Sequence, residues 1–363
     1  MPFTIGELAD ALGAAAEGDL TLTVERPREP GTAGPSDIAL AMEAAFLESL
    51  GAGRARAAIL AEGADWKGLG LEAAIFAPRS RYVMAGVADV FARAPRIDPG
   101  IHPSAVVEPG AEIGADPSIG PFAYIQAGAR IGARARIGAQ CFVGEEAEIG
   151  SDVLLFPGAR IGPFVRIGAR FIGHHGISIG ADGFSFVTPK PGAVEEARAT
   201  GRISAVSRSE GFVRINSLGA VWIGDDVEVG ANSVIDRGTV ADTEVGSGTK
   251  IDGLVMIGHN VKVGMHCLLC GQSGVAGSSV IGDRVVLAGQ AGIADHVRVG
   301  DDCIITGQTG INHNVPSGRI MMGSPGVPMD QSVATYRVMR RLPRLAARVD
   351  ALEKRVSNPQ STE

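Results

Sequence analysis

Residues 119–138 read IGPFAYIQAGARIGARARIG, and an isoleucine recurs there at every sixth position. The same frame extends outward from Ile101 to Ile167 and, after a break, from Val245 to Ile311, with Ile, Val or Leu at every step. A glycine often follows the aliphatic residue directly, and a small residue often stands four positions after it. A short period kept over many repeats is typical of a solenoid, in which each repeat packs only on its neighbours.

The hexad predicts a mainly β fold, a parallel β-helix of hexapeptide repeats. Three six-residue units close one triangular coil, the aliphatic and small residues point inward, and the backbones of neighbouring coils pair at about 4.8 Å. The low aromatic content of 5% agrees with a prism that is too narrow for many rings. The spacing does not reveal the handedness of the helix, and the general rule for parallel crossovers favours the right-handed form.

The segments outside the repeat differ from it in pattern. Residues 1–100 lack the hexad; TIGELADALG at 4–13 predicts a helix capped by Thr4, and the apolar run from Ala57 to Leu60 predicts a strand. We therefore expect a small N-terminal α/β domain at 1–100 and the β-helix at 101–322. Residues 188–211 are polar and contain Pro and Gly, which predicts a loop inserted into the β-helix.

Residues 323–363 predict a C-terminal helical tail. The apolar residues from Leu345 to Val356 follow the spacing of a heptad seam, and Pro343 is placed to begin their helix. Residues 331–355 hold seven Lys or Arg and two Asp or Glu, although the whole chain has a net charge of −7. A basic tail on an acidic protein is either a solvated helix face or a surface for an acidic partner.

Composition excludes several classes of protein. The negative net charge argues against nucleic acid as the main partner. The first residues, MPFTIGELAD, lack the features of a signal peptide, and no apolar stretch reaches the roughly 18 residues of a membrane span. We therefore expect a cytoplasmic protein. Cys141, Cys267 and Cys303 fall on the small inward position, so the C-x-x-C pair of Cys267 and Cys270 is a weak redox or metal signal.

Two columns of polar residues follow one corner of the predicted β-helix. Counting by whole coils, the first column contains His259, Gly277, Asp295 and His313. The neighbouring column contains Asn260, Ser278, His296 and Asn314. Solvation alone explains polar residues at a corner, but His is the side chain whose charge changes near pH 7. This corner is therefore either a solvated surface or a catalytic site.

Gly277 bears on that choice because it lies one coil beyond His259, about 5 Å away. Its backbone N–H could hold the oxyanion of an acyl-transfer intermediate while His259 takes a proton from the attacking group. A glycine that only the turn requires is the alternative, and the spacing does not decide between the two.

Three segments carry a resemblance to a known family: GADGFSF at 180–186, VWIGDDVEVGANSVIDRGTVADTEVGSGTKID at 221–252, and IGHNVKVG at 257–264. Over nearly its whole length the chain resembles the UDP-3-O-(3-hydroxyacyl)glucosamine N-acyltransferases, which catalyse the third step of lipid A biosynthesis in Gram-negative bacteria. The resemblance implies a left-handed β-helix and a homotrimer with its sites between subunits. It implies transfer of a 3-hydroxyacyl chain from acyl carrier protein to the 2-amine of UDP-3-O-acyl-glucosamine, with no metal and no cofactor beyond the donor's phosphopantetheine thioester.

The resemblance also implies catalytic roles for individual residues. His259 matches the general base of the family, and Gly277 matches its oxyanion amide. His296 matches a second functional histidine. Asp252, seven residues before the base, matches an acidic residue that orients it.

Binding residues are implied in the same way. The positions implied in substrate binding are Asn260, Asp182, Phe184, Phe46 and Glu43. The family holds uracil with two aromatics and an asparagine, and the matching positions here are Leu40, Phe46 and Glu43, so that only Phe46 keeps a ring. The basic tail is implied as the docking surface for acyl carrier protein, through Arg337, Arg340, Arg341 and Arg344.

Three other interpretations stay open. The UDP-N-acetylglucosamine O-acyltransferase of the same pathway shares the scaffold, but it begins directly with repeats, whereas this chain has about 100 residues before them. A hexapeptide-repeat hydrolyase of the carbonic anhydrase type needs three histidines on zinc, and Asp301 stands where the last is expected, five residues after His296. A non-catalytic solenoid would leave the histidine columns and the basic tail unexplained.

Overall fold

A computed structural model of the chain describes residues 2–93, 95–190, 192–203, 211–323 and 326–357. It contains two compact units, residues 1–96 and residues 97–363. None of the helices in the described ranges combines the length and the apolar composition needed to cross a lipid bilayer.

The first unit is a five-stranded sheet with helices on both faces. In sheet order the strands are Ala15–Gly18, Ala73–Ala77, Ala57–Ala61, Asp37–Ala41 and Arg26–Arg28, of which the first pair is antiparallel and the others are parallel. The helices are Ile5–Leu12, Ala44–Leu50 and Ser80–Phe91, with a 3-10 turn at Pro30–Thr32 and a small ladder of Phe3–Thr4 with Thr23–Val24. Side chains from Ile5–Leu12 and Ser80–Phe91 pack on one face, and Leu50 packs on the other.

The predicted cap of the first helix is confirmed. The hydroxyl of Thr4 accepts the N–H of Glu7, and the carboxylate of Glu7 accepts the N–H of Thr4. This reciprocal pair satisfies backbone donors that the first turn of a helix leaves without a partner.

The second unit is the predicted left-handed parallel β-helix of hexapeptide repeats. Among the described residues its three faces contain eleven, ten and nine strands. The strands of the first face are Gly100–Ile101, Ser118–Ile119, Arg136–Ile137, Leu154–Leu155, Ile172–Gly173, Glu228–Val229, Lys250–Ile251, Leu268–Leu269, Val286–Leu287, Ile304–Ile305 and Ile320–Met321. Those of the second face are Val106–Val107, Tyr124–Ile125, Phe142–Val143, Arg160–Ile161, Ser178–Ala181, Val234–Asp236, Met256–Ile257, Gly274–Val275, Gly292–Ile293 and Gly310–Ile311. Those of the third face are Glu112–Ile113, Arg130–Ile131, Glu148–Ile149, Arg166–Ile167, Val221–Ile223, Thr243–Val245, Lys262–Val263, Val280–Ile281 and Arg298–Val299.

Each strand pairs in parallel with the equivalent strand of the next coil, so that inward residues stack on one another. Ile119 pairs with Ile137, and Ile257 pairs with Val275. The predicted inward position of Cys141, Cys267 and Cys303 is confirmed, since all three are buried. Burial raises the pKa of the Cys141 thiol to about 11, which makes it a packing residue rather than a nucleophile.

Most corners of the prism are turned by the third residue after an inward aliphatic. That residue has a positive φ, as at Phe122 (58°), Asn260 (60°) and His296 (60°). The left-handed region is uncommon for residues other than glycine. Backbone bonds between coils hold it in place, as where the N–H of Gln140 donates to the carbonyl of Pro121 at 2.9 Å.

The inserted segment leaves the β-helix between a strand of the second face and a strand of the third face. Phe186–Val187 pairs antiparallel with Val213–Arg214 at its base, and a helix spans Ala193–Thr200. On either side of it, Ile167 pairs with Ile223 as if the coils were consecutive.

The tail contains the helices Met329–Met339 and Leu342–Ser357, neither of which buries a residue. Pro343 lies at the start of the second helix, as predicted. The apolar residues of the seam, Leu345, Val349, Leu352 and Val356, are all exposed.

A pair of adjacent leucines tests how much the inward stack contributes to stability. Leu269 points inward and is 1% exposed, whereas Leu268 in the same strand points outward and is 47% exposed. Leu269→Ala should lower the free energy of unfolding by about 2–5 kcal/mol, because it leaves a cavity in a packed core. Leu268→Ala should cost less than about 1 kcal/mol. Guanidinium denaturation at fixed protein concentration measures both, and equal losses would refute the central role of the stack.

Candidate functional site

His259 lies at a corner of the β-helix where the strand register stacks equivalent residues of successive coils. This corner follows the second face, where Met256–Ile257, Gly274–Val275 and Gly292–Ile293 pair in sequence. His259 and Gly277 therefore stand at equivalent positions one coil apart. A Cβ placed on Gly277 would lie 2.7 Å from both Nε2 and Cε1 of the His259 ring.

Space for the imidazole explains the glycine at position 277. Gly277 is not among the residues with positive φ, so the turn does not require a glycine there. Gly183, of the GADGFSF segment, also lies against this side chain: its Cβ would lie 2.7 Å from Cβ and 3.0 Å from Cδ2 of His259. The His259 side chain is thus in close contact with two glycines, and the sequence did not reveal this contact for Gly183.

Hydrogen bonds fix the tautomer of His259. The amide of Asn260 is oriented by two backbone groups, since its Oδ1 accepts the N–H of Thr239 at 3.0 Å and its Nδ2 donates to the carbonyl of Ala241 at 2.7 Å. Its Oδ1 also lies 3.0 Å from Nδ1 of His259. An amide oxygen can only accept, so Nδ1 carries the proton and Nε2 is the unprotonated nitrogen. The nitrogen that can act as a base is the one beside Gly277.

The amide of Gly277 is free to bind a ligand. In the described part of the chain, no backbone carbonyl or side chain accepts a hydrogen bond from its N–H. At a corresponding corner of another face, the N–H of Met265 donates to the Asp283 carboxylate one coil later. An unsatisfied donor beside an unprotonated imidazole nitrogen is the arrangement that acyl transfer needs.

The other residues of the GADGFSF segment lie next to this corner. The N–H of Gly183 donates to the hydroxyl of Ser217 at 3.1 Å, which anchors the segment. Asp182 lies 3.8 Å from Arg214. Phe184 is 85% exposed and contacts Phe186 edge to face, with the ring centroids 5.1 Å apart.

The other two histidines of the columns, His296 and His313, are exposed. His296 follows Gly277 by one coil, and its N–H donates to the Gly277 carbonyl at 3.1 Å. His313 is exposed, and its Nδ1 lies 2.9 Å from Oδ1 of Asn312. Within the described ranges, no group of three His, Cys, Asp or Glu side chains is suited to hold a metal ion.

Asp252 lies at a different corner of the same chain. It follows strand Lys250–Ile251 of the first face, and its carboxylate accepts the N–H groups of Gly253 and Gly271. Its neighbours in an open groove include His174 and Glu228, whose side chains are 2.8 Å apart. The predicted contact between Asp252 and His259 is therefore not made within one subunit.

Asp236 is a residue of this corner that sequence reasoning missed. It ends strand Val234–Asp236 and is only 4% exposed. Burial raises the pKa of its carboxyl to about 6, against the opposing effect of His259. The sequence does mark this position, because the six-residue spacing of aliphatic residues is interrupted after Ile235. In the structure, the backbone there forms a bulge against the Ile179–Ala181 segment.

The first unit has a pocket of its own, of about 260 Å³. All three positions that the resemblance matched to uracil binding line it: Leu40, Glu43 and Phe46. Phe46 is 47% exposed, so one face of its ring is open to a ligand. Arg81 also lines this pocket and was not anticipated from the sequence.

The amino-acid sequence of this chain is similar to those of several proteins of known family. Residues 110–145 match the bacterial transferase hexapeptide family. The chain is 56% identical over 363 residues to the UDP-3-O-acylglucosamine N-acyltransferase of Ruegeria pomeroyi, with all of both chains covered. The chain belongs to the UDP-3-O-acylglucosamine N-acyltransferase family. It is an acyltransferase.

Other relatives extend this result. The chain is 54% identical to the Paracoccus denitrificans protein of the same name, over 77% of this chain and 76% of that one. It is 43% identical to the Granulibacter bethesdensis protein, over 94% and 95% of the two chains. Among solved structures, LpxA of Acinetobacter baumannii is similar to 62% of the chain, with 71% of its own chain covered, 23% identity and a TM-score of 0.45.

Substituting Gly277 tests whether it is there for the imidazole or for the turn. Gly277→Ala should leave the melting temperature within about 3 °C of the unmodified protein, because its backbone is one that any residue adopts. The methyl should displace the His259 ring, which nuclear magnetic resonance of the imidazole detects. Gly274→Ala is the matched control, since a Cβ there meets nothing within 4 Å. A large loss of stability with an unmoved His259 signal would assign the glycine to the turn.

Proposed function

We propose that this acyltransferase moves a 3-hydroxyacyl chain from acyl carrier protein to the 2-amine of UDP-3-O-acyl-glucosamine, in lipid A biosynthesis. The proposed acceptor follows from the names of the relatives, one of which matches the chain over its whole length. The observation that carries the mechanism is the imidazole of His259, with its unprotonated Nε2 beside the free N–H of Gly277.

In the proposed reaction, the 2-amine attacks the thioester carbonyl while Nε2 of His259 takes its proton. The carbonyl oxygen becomes an oxyanion and accepts the N–H of Gly277. The tetrahedral intermediate then expels the phosphopantetheine sulfur, and the proton passes from His259 to that thiolate. The new C–N bond replaces the C–S bond, and the imidazole returns to its neutral form without a metal or a further cofactor.

The pocket of the first unit is the proposed site for the uridine part of the acceptor. Phe46 offers a ring face on which uracil can stack, and the carboxylate of Glu43 can accept the N–H of that base. Leu40 supplies an apolar wall where the family has a second ring. Arg81 adds a cation that suits a diphosphate.

A homotrimer is part of the proposal. Asp252 occupies a corner other than that of His259, so the orienting role expected for it requires a site between two subunits. His296 lies one coil beyond Gly277, and we assign it to substrate positioning. Asp182 and Phe184 border the same corner and are proposed to contact the acceptor.

Replacing His259 tests its role as the base. His259→Ala should lower kcat by roughly 10²–10⁴-fold, the usual contribution of a general base. The oligomeric state and the melting temperature should stay unchanged, because the side chain is only half-buried. His313→Ala, in the same column but exposed, is the matched control and should keep near-normal turnover. Steady-state kinetics with an acyl carrier protein thioester measures kcat for both variants. Near-normal turnover in His259→Ala would show that His259 is not the base.

The arginines of the tail are the proposed contact for acyl carrier protein, which is strongly acidic. Arg337, Arg340, Arg341 and Arg344 are exposed and form no ion pair with any other described residue. Because the protein is net negative, attraction to an acidic donor has to come from a local basic surface.

Charge reversal tests this surface. Changing Arg340, Arg341 and Arg344 to Glu should raise KM for the acyl carrier donor about tenfold and remove most of its salt dependence, with KM for the UDP-sugar unchanged. Reversal of Lys354 and Arg355, in the last turn of helix Leu342–Ser357, is the control. Kinetics at low and high salt measures both, and an unchanged donor KM would place the docking surface elsewhere.

A further inference from the structure

The side chain of Asp236 is buried without a partner. It is 4% exposed, and none of the described residues donates a hydrogen bond to its carboxylate. The neighbouring cation is engaged elsewhere: Nε of Arg237 donates to the Gly219 carbonyl at 2.6 Å, and its guanidinium lies over the ring of Phe164. An ionised carboxylate in such surroundings is costly unless a positive charge compensates it.

The register of the β-helix brings two other titratable groups to this carboxylate. Ile235, next to Asp236, pairs with Ile257, two residues before His259. Asp236 itself pairs with Ala181, which precedes Asp182. Among the described residues, the titratable groups whose charge acts on the Asp236 carboxyl are His259 and Asp182. Asp182 is half-exposed and lies beside Arg214, so Asp236 is the desolvated acid of the pair.

These groups influence one another's protonation. Burial raises the pKa of Asp236 to about 6, the positive charge of His259 lowers it, and Asp182 raises it. At neutral pH the carboxyl is therefore mostly ionised, in a medium where a nearby charge is felt strongly.

We propose that Asp236 is a positioning residue for the base: its buried carboxylate faces His259 and stabilises the imidazolium that forms when the amine loses its proton. This inference rests on the proposed role of His259. Asp236 exchanges no proton with the substrate and forms no bond to it. Nδ1 of His259 faces Asn260, so the carboxylate acts through its charge, while Asn260 sets the tautomer.

Kinetics as a function of pH tests the proposal. Asp236→Asn removes the anion, so the imidazolium of His259 should become less stable. The acidic limb of the kcat/KM profile should therefore move to lower pH by about one unit, and kcat should fall about tenfold. Asp236→Glu keeps the charge and should keep the limb within about 0.3 unit, with part of kcat recovered. Asp226→Asn, which removes an exposed carboxylate paired with Arg170, is the matched control and should change neither. An Asp236→Asn variant with an unmoved limb and kcat within twofold would overturn the proposal.

A titration of the unmodified protein gives an answer even where Asp236→Asn does not fold. The imidazole resonances of His259, assigned by comparison with His259→Gln, should show a second inflection near pH 6 from the ionisation of Asp236. A His259 titration with one inflection would overturn the electrostatic pairing. This measurement needs no acyl transfer, so an inflection in a protein that transfers no acyl group would support the pairing and refute the proposed reaction.

Discussion

Parallel pairing between successive coils is the constraint on which the rest of this structure depends. A two-residue strand has too few hydrogen bonds to be stable alone, and it persists because it is one member of a sheet of nine to eleven strands. The same pairing places every inward aliphatic on its equivalent in the next coil, as with Ile119 and Ile137. Burial of these stacked side chains is the main favourable contribution to the folding of a narrow prism.

The chemistry at the His259 corner is a consequence of that repetition. Residues one coil apart are brought within contact distance whatever their identity, so a histidine in one coil and a glycine in the next become a base beside a free amide. The scaffold requires only the inward positions, and its corners are left for polar groups. Among the described residues of the β-helix, Asp236 is the exception, since it is a charged residue that is buried. Functional groups in proteins are often found where a local rule of folding is broken.

The sequence predicted the solenoid well because its period is physical: an inward side chain every six residues fits three such units to one coil, although the spacing does not fix the handedness of that coil. It also placed His259, Gly277 and His296 correctly, since columns can be counted. It could not predict that Gly183, which precedes the inserted segment, lies against the His259 side chain. Nor could it reveal that Asp236 is buried, because a bulge interrupts the hexad there. The different corners of Asp252 and His259 follow from the same counting, because Asp252 comes after Ile251 and His259 comes after Ile257, one six-residue repeat later and so on another face.

The insertion at the start of the third face shows how tolerant such a scaffold is of length. Ala169 and Asp225 are 56 residues apart in sequence yet bond as neighbours, where an ordinary coil separates such partners by 18 residues. Loop-closure entropy grows only with the logarithm of length, so this excursion costs about 1 kcal/mol more than a plain coil. Corners of a β-helix are therefore sites where evolution can splice in new segments almost neutrally. A lineage can thus remodel the surroundings of an active site while the stack beneath it stays unchanged.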